Sequence, residues 1–396
     1  MGKKAIIDGD DTVPSDEWGG LIEITGEYIA LENVRVVNSE GDGIAIKSTN
    51  HVNCTNIETC NTYKAGIRYK DTSYGTVQGC DIMHAAMIWP EYNIFNDGHW
   101  PANLAIITSS SITIRGNVVH ESYGEGIGLF HTSHDCIVED NVCYANRAVE
   151  IYLDHSYNNI VRRNLCYGTM DSTFHRNGSP SNGLWVNDEN RHDIYSENNH
   201  FYHNLVAYCR VGFGLGSTRD PDSCFRNSVV YNNTFVDCEI GFHKGYSCYD
   251  NSYIRNNIVW GISPNCTLFG GGSSTSGLAW EHNNWSSPVS GSPSGTGDVI
   301  GIPQLQKTMG WRSMKGGDLK ASDFALQPTS PLIDKGTTLG AQFRNILECD
   351  KSVWTSQIML IDQDSQGSGW EIGADIHVAN PTALDPPSDL KIVSAP

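Results

Sequence analysis

A spacing of 23 or 24 residues recurs through most of this chain, and it leaves few folds open. The marker is an asparagine that follows a short run of alternating apolar and polar residues. It appears as Asn33, Asn56, Asn117, Asn141, Asn164, Asn204, Asn233, Asn257 and Asn284, with Cys80 in the equivalent place of QGCDIMH. The runs between markers are rich in Val and Ile and bounded by turn residues, and helical periodicity is absent. A period this short and regular predicts stacked β-coils, each burying its apolar face against the next. The asparagines themselves read first as structural, since a stacked Asn can bond its own turn and its neighbour.

One strand of each coil aligns as a series: GIAIKS, GIRYKD, NLAIIT, GIGLFH, EIYLDH, GLWVND, GFGLGS and GFHKGY. Side chains alternate across a strand. The second and fourth places, Ile44/Ile46 through Phe213/Leu215, are apolar or aromatic and are expected to point inward. Lys244 falls on an inward place, an exception. The third and fifth places are expected to line an outer face: Lys47, Arg68, Lys70, Tyr152, Asp154, Trp185, Asn187 and His243. Two long insertions, 84–103 and 168–182, each precede a strand of this series. Both are therefore expected to leave the solenoid at one corner and wall a groove. They carry Trp89, His99, Trp100, His175 and Arg176.

The expected architecture is all-β, a parallel β-helix solenoid of roughly ten coils with N- and C-terminal caps. Residues 1–20 read as the first cap and 21–287 as the solenoid with its groove. Residues 288–376 read as the last coils and closing cap, with ASDFALQPTSPLIDKG and GSGWEIGADIHV as sheet segments. Residues 377–396 read as a linker toward a further module. A net charge of −19, from 26 basic and 45 acidic residues, argues against nucleic acid and anionic membrane as partners. It also means that an anionic ligand needs a local basic patch. Twelve Cys without a CxxC do not make a zinc site and read as small core residues, Cys143 and Cys166 among them. No stretch is long and apolar enough to span a membrane. The opening MGKKAIIDGDD is not a signal peptide.

These coils resemble the right-handed parallel β-helix proteins of the pectate-lyase-like superfamily over about residues 5–376. The pattern GEGI…IVEDN…IYLD…VRRN resembles bacterial polysaccharide lyases of the alginate-lyase type. The paired-Asp motifs of polygalacturonase hydrolases (NTD, DD, GHG, RIK) are not present in order. The resemblance implies a secreted or periplasmic monomer that cleaves an acidic, uronic-acid-containing polysaccharide by β-elimination, with its export signal outside this sequence.

Such a reaction neutralises the sugar carboxylate, removes the adjacent proton and protonates the leaving oxygen. Tyr152 with His155 is the expected acid/base pair, and Arg68 with Lys70 the expected carboxylate-binding pair. Lys47, Trp185, His131, Arg176, His243, Trp100 and Glu125 are expected to bind substrate. Asp154, Asn187 and Glu189 present hard oxygens that suit Ca2+. The alternative is a glycoside hydrolase on the same scaffold, with Glu150, Asp154, Asp188 and Glu189 supplying the two carboxylates it needs. Glu150 stands out because its place is held elsewhere by Gly or Asn; Arg147 reads as its ion-pair partner. A non-catalytic adhesin is the third reading, disfavoured by the two long loops.

Overall fold

The computed structural model describes residues 4–16, 18–87, 102–189, 195–216, 224–246, 248–271, 276–287 and 295–378. Among them three long parallel sheets run the length of the molecule, with ten, ten and twelve strands. Each coil contributes one strand to each sheet in turn. Coil four, for example, supplies Ala102–Ile107, Ser110–Arg115 and Val118–His120. No described segment is an α-helix, so none is a helix long and apolar enough to cross a membrane.

The register of the first sheet is the one the strand series predicts. Ile44, Ile67, Leu104, Ile127, Ile151, Leu184 and Phe213 stack in one inward row. All of them are fully buried. Lys244 keeps this register opposite Leu215 and is buried, with its ammonium 5.4 Å from the centre of the Phe269 ring. The first strand, Ala5–Asp8, already pairs with Val34–Ser39 in the third sheet, so the segment expected to be a cap opens the solenoid.

The corner between the second and third sheets holds the asparagines, and here the marker resolves into two adjacent rows. One row has left-handed backbone: Asn33, Asn56, Gly79, Gly116, Asp140, Arg163, His203, Asn232, Asn256 and His282. Asn, Asp and Gly adopt that conformation most cheaply, which is why they punctuate the sequence there. The next row is buried and begins at Cys80, whose N–H donates to Asn117 Oδ1. It continues through Asn141, Asn164, Asn204, Asn233 and Asn257 to Asn283. From Asn141 onward each Oδ1 accepts from the backbone and side chain of the Asn one coil earlier, and each Nδ2 also donates to a backbone carbonyl of that earlier coil. Asn33 and Asn56 thus belong to the left-handed row, at its exposed start, bonded to each other at 2.6 Å. Asn284, one residue past the ladder, caps Val299 and Gly301 carbonyls instead.

A second buried polar cluster closes the corner before the first sheet. Asn103 donates to Asn146 Oδ1, and Asn146 donates to Glu150 Oε2 at 2.5 Å through its side chain and to Oε1 through its backbone. Ser181 Oγ donates to Glu150 Oε1 as well. Glu150 is fully buried. Burial pushes its carboxyl up to about 8, so it holds its proton near neutrality.

The C-terminal segment departs from expectation. ASDFALQPTSPLIDKG and GSGWEIGADIHV are not further sheet coils; they form 3-10 turns and extended stretches. From Leu305 to Ile376 the chain runs back along the outside of the third sheet. There Trp311, Met314, Phe324, Leu332 and Trp354 cover Tyr144, Leu165, Tyr167, Leu205 and Trp260. The reason is legible in the strands LCY, LVA and IVW, which are apolar on both faces and so require cover on both. Ten Cys are free and mostly buried, while Cys224 and Cys248 form a disulfide between two short added strands. The expected linker lies outside the described residues apart from 377 and 378.

Two outcomes follow. Asn164 is fully buried and its amide makes four bonds. Asn164→Ala should cost about 3 kcal/mol by stranding its partners, whereas Asn56→Ala, at an exposed left-handed position, should cost about 1 kcal/mol, mostly as backbone strain; denaturant unfolding checks both. Because the folded Glu150 carboxyl titrates above its unfolded value of 4.5, its contribution is fully present below pH 4.5 and is lost as pH rises through about 8. Glu150→Gln should flatten that part of the melting-temperature profile between pH 5 and 8.

Candidate active-site groove

The outer face of the first sheet is built from the third and fifth places of each strand. Stacking in register turns these places into continuous rows along the molecule. One row reads Ala45, Arg68, Ala105, Gly128, Tyr152, Trp185, Gly214, His243. The other reads Lys47, Lys70, Ile107, Phe130, Asp154, Asn187. Strands Ala102–Ile107 and Asn182–Asn187 both follow the long insertions, so both insertions leave at the same corner of the solenoid.

At one end of the face lies a cavity of ≈580 Å3 lined by Trp18, Arg68, Lys70, Asp71, Thr108 and His131. Lys70 is exposed. Arg68 is buried, with Nε 2.5 Å from Asp42 Oδ2 and Nη2 2.6 Å from the Trp18 carbonyl. Much of its charge is therefore already matched within the protein. Lys47, one coil away, pairs with Glu23 at 2.7 Å.

The centre of the face is acidic, phenolic and guanidinium-rich. Tyr152 Oη donates to Glu189 Oε1 at 3.2 Å, and Asn187 Nδ2 donates to the same oxygen at 2.9 Å. The Glu189 N–H donates to Asp154 Oδ1 at 3.1 Å. Phe130 folds back over Gly128 and meets Tyr152 edge-on at 5.8 Å. Burial, then Asp154, Glu189 and Glu125, hold the Tyr152 phenol well above its usual range. Burial, then Glu189 and Asp154, do the same to the Glu125 carboxyl, against the pull of Arg176. Arg176 is itself lowered by burial and by two other guanidiniums, Arg210 and Arg147. Arg176 thus lies close enough to Glu125 and Glu189, and to Arg147 and Arg210, to feel their charge.

Toward the other end, the Trp185 indole lies flat against the next coil. A Cβ at Gly214 or Gly216 would sit 2.0 or 2.4 Å from it, so both positions require glycine. His243 stacks on the indole at 5.6 Å and 21°, and burial keeps its imidazole below the usual range. The pair forms an aromatic shelf along the groove floor.

Several expected site residues lie elsewhere. His155 is fully buried at the left-handed turn after the strand, its Nδ1 2.8 Å from Asp154 Oδ1. It does not stand in the groove with Tyr152, so that pairing is corrected. Asp188 is also fully buried, accepts from the Ser196 N–H at 2.8 Å, and is pushed up to about 6 by burial. Glu150 sits in the interior cluster with Asn146 and Ser181, and among the described residues it makes no ion pair with Arg147. Catalytic roles for Glu150 and Asp188 require an accessible carboxylate, and these two are withdrawn from the groove. Trp100, with Trp89 and His99, lies outside the described residues.

The residues expected to hold calcium are partly engaged with one another. Asn187 turns its amide nitrogen to Glu189, and the facing oxygens of Asp154 and Glu189 are taken by N–H and O–H donors. Among the described residues no three His, Cys, Asp or Glu side chains converge as metal ligands. Arg147 and Arg210 were not singled out in sequence as groove residues. Their common signal is position, one or two residues ahead of a strand of the first sheet.

The family described as right handed beta helix region matches residues 15–165. No curated protein sequence matches the chain. Among solved structures, pectate lyase Pel9A superposes with a TM-score of 0.53 at 13% identity, covering 95% of this chain and 87% of that one. A PL6-family alginate lyase gives a TM-score of 0.44 at 13% identity, over 83% of this chain and 53% of that one. PfbA, a surface adhesin of Streptococcus pneumoniae, gives 0.43 at 10% identity, over 59% and 69%. The repeat, the three parallel sheets and the match to the pectate lyase agree: the chain is a right-handed parallel β-helix protein.

Proposed function

We propose that the protein is an exported polysaccharide lyase acting on an acidic, uronic-acid-containing polymer by β-elimination. The observation that carries this reading is Tyr152 hydrogen-bonded to Glu189 on a face where Arg176 lies close enough to Glu125 and Glu189, and to Arg147 and Arg210, to feel their charge. In a chain of net charge −19, a local basic patch is the feature an anionic polymer needs. The arginines would neutralise the sugar carboxylate and so acidify the C–H next to it. The shared fold with a pectate lyase supports the same class.

Tyr152 and Glu189 then divide the proton work. Glu189 takes the C5 proton as the C=C bond forms and the glycosidic C–O bond breaks. Tyr152, a neutral phenol in this setting, gives its proton to the leaving oxygen. The two groups are 3.2 Å apart, so Glu189 returns its proton to the phenolate and both are reset. The Trp185–His243 shelf would stack a sugar ring further along the chain, and Lys70 with His131 would line the opposite end. No step uses a metal.

A second reading rests on Glu125, whose carboxyl is held well above its usual range by burial, then by Glu189 and Asp154. Carboxyls driven apart in this way suit a glycoside hydrolase.

Ultraviolet absorbance from unsaturated uronate ends separates the two on alginate, pectate, glycosaminoglycans and ulvan. A rise on one polymer, unchanged by chelator, is expected. Tyr152→Phe should lower that rate by roughly 10^2- to 10^4-fold, and Arg176→Ala should lower kcat/KM on the acidic polymer. New reducing ends without absorbance, abolished by Glu125→Gln and spared by Tyr152→Phe, would move the assignment to hydrolase.

A further inference from the structure

A second cavity, of ≈390 Å3, opens on the outer face of the second sheet, away from the groove. Its floor is Val229, Tyr231 and Tyr253, outward residues of strands Val229–Tyr231 and Ser252–Arg255. Its far wall is the C-terminal segment, through Leu339, Gln342 and Phe343. Phe343 is held edge-on against Tyr231 at 5.0 Å, which fixes that wall to the sheet.

The polar groups around this floor are neutral and have unspent bonding capacity. Asn251 Nδ2 donates to Asn227 Oδ1 at 2.9 Å, and Tyr253 Oη donates to Asn251 Oδ1 at 3.0 Å. That chain leaves the Asn227 Nδ2 with no bond among the described residues. The Gln342 amide and the His200 ring nitrogens likewise make none there. Burial lowers the His200 imidazole, so it offers one donor and one acceptor. The one cation, Arg255, is already paired with Glu281 at 2.9 Å and lies 4.5 Å over the Tyr253 ring.

A ligand for this cavity has C–H surface for Val229, Leu339 and the uncovered parts of the Tyr253 ring, several hydroxyls for the amides and imidazole, and no need of charge. We infer that it is a second saccharide site, one that takes a neutral sugar segment, separate from the groove and independent of its chemistry. The volume is that of a small-ligand pocket. Such a site would hold the enzyme to a glycan while the groove on another face acts.

The test is isothermal titration of the full chain with cellotriose, maltotriose, xylotriose and trigalacturonate. At least one neutral trisaccharide should bind. The exposed pair Asn227→Ala/Gln342→Ala should weaken it by roughly tenfold or more, and Val229→Trp, which fills the floor, should do the same. Neither variant should change the melting temperature or turnover of soluble acidic polymer. The inference is overturned if no neutral trisaccharide binds, or if binding survives both variants. It is also overturned if Arg176→Ala in the groove removes the binding, and absence of any lyase activity would leave it standing.

Discussion

The phase of every coil is set by one buried row of asparagines. Each Asn between Asn117 and Asn257 takes two bonds from the coil before it, on a single oxygen, and spends its nitrogen on carbonyls. An amide buried there cannot slip by one residue without stranding donors in the core. That fixes where the second sheet ends and the third begins. Since side chains alternate along a strand, it also fixes which residues of the first sheet face outward. The groove is a downstream result of that register: Tyr152 stands beside Trp185 because Ile151 stands on Leu184.

Given the register, the outer face is shaped by what its neighbours omit. Glycine at 128, 214 and 216 lets Phe130 and Trp185 lie flat instead of standing into solvent. Flat rings leave room for a polymer and give it a surface to stack on. The corner ahead of the first sheet then supplies charge. Arg147 and Arg210 come from there, and Arg176, which feels the charge of Glu125 and Glu189, from the insertion.

Much of the fold was legible because it repeats. The inward rows, the outward rows and the common corner of the two insertions follow from period and alternation alone. The asparagine marker slipped at both ends for a physical reason: Asn serves equally well in the left-handed turn position and in the buried position after it. Asn33 and Asn284 therefore look like members of a row they only flank. The groove was legible only in part. Alternation placed Tyr152, Trp185 and Asp154 correctly, but residues just beyond a strand follow the turn, and the turn took His155 and Asp188 inside. Glu150 was rightly marked as unusual, yet its oddity answers a hydrogen-bonding demand of the interior. The arginine cluster is assembled from three separate segments, and no linear pattern announces it.

The C-terminal segment lying along the third sheet changes how the solenoid holds together lengthwise. Stacked coils ordinarily support only their neighbours, so they can peel from either end. Here Trp354 bonds Arg163, Gly317 bonds Tyr167, and Asn232 and Asn256 bond the stretch around Gly373. One strap thus ties the coil bearing Tyr152 to coils far downstream, and those coils open together. The earlier coils, with Arg68 and Lys70, have no such strap among the described residues. The groove therefore spans a mechanical boundary: the Tyr152–Glu189 cluster sits on the tied half, and the Arg68–Lys70 cavity on the untied half.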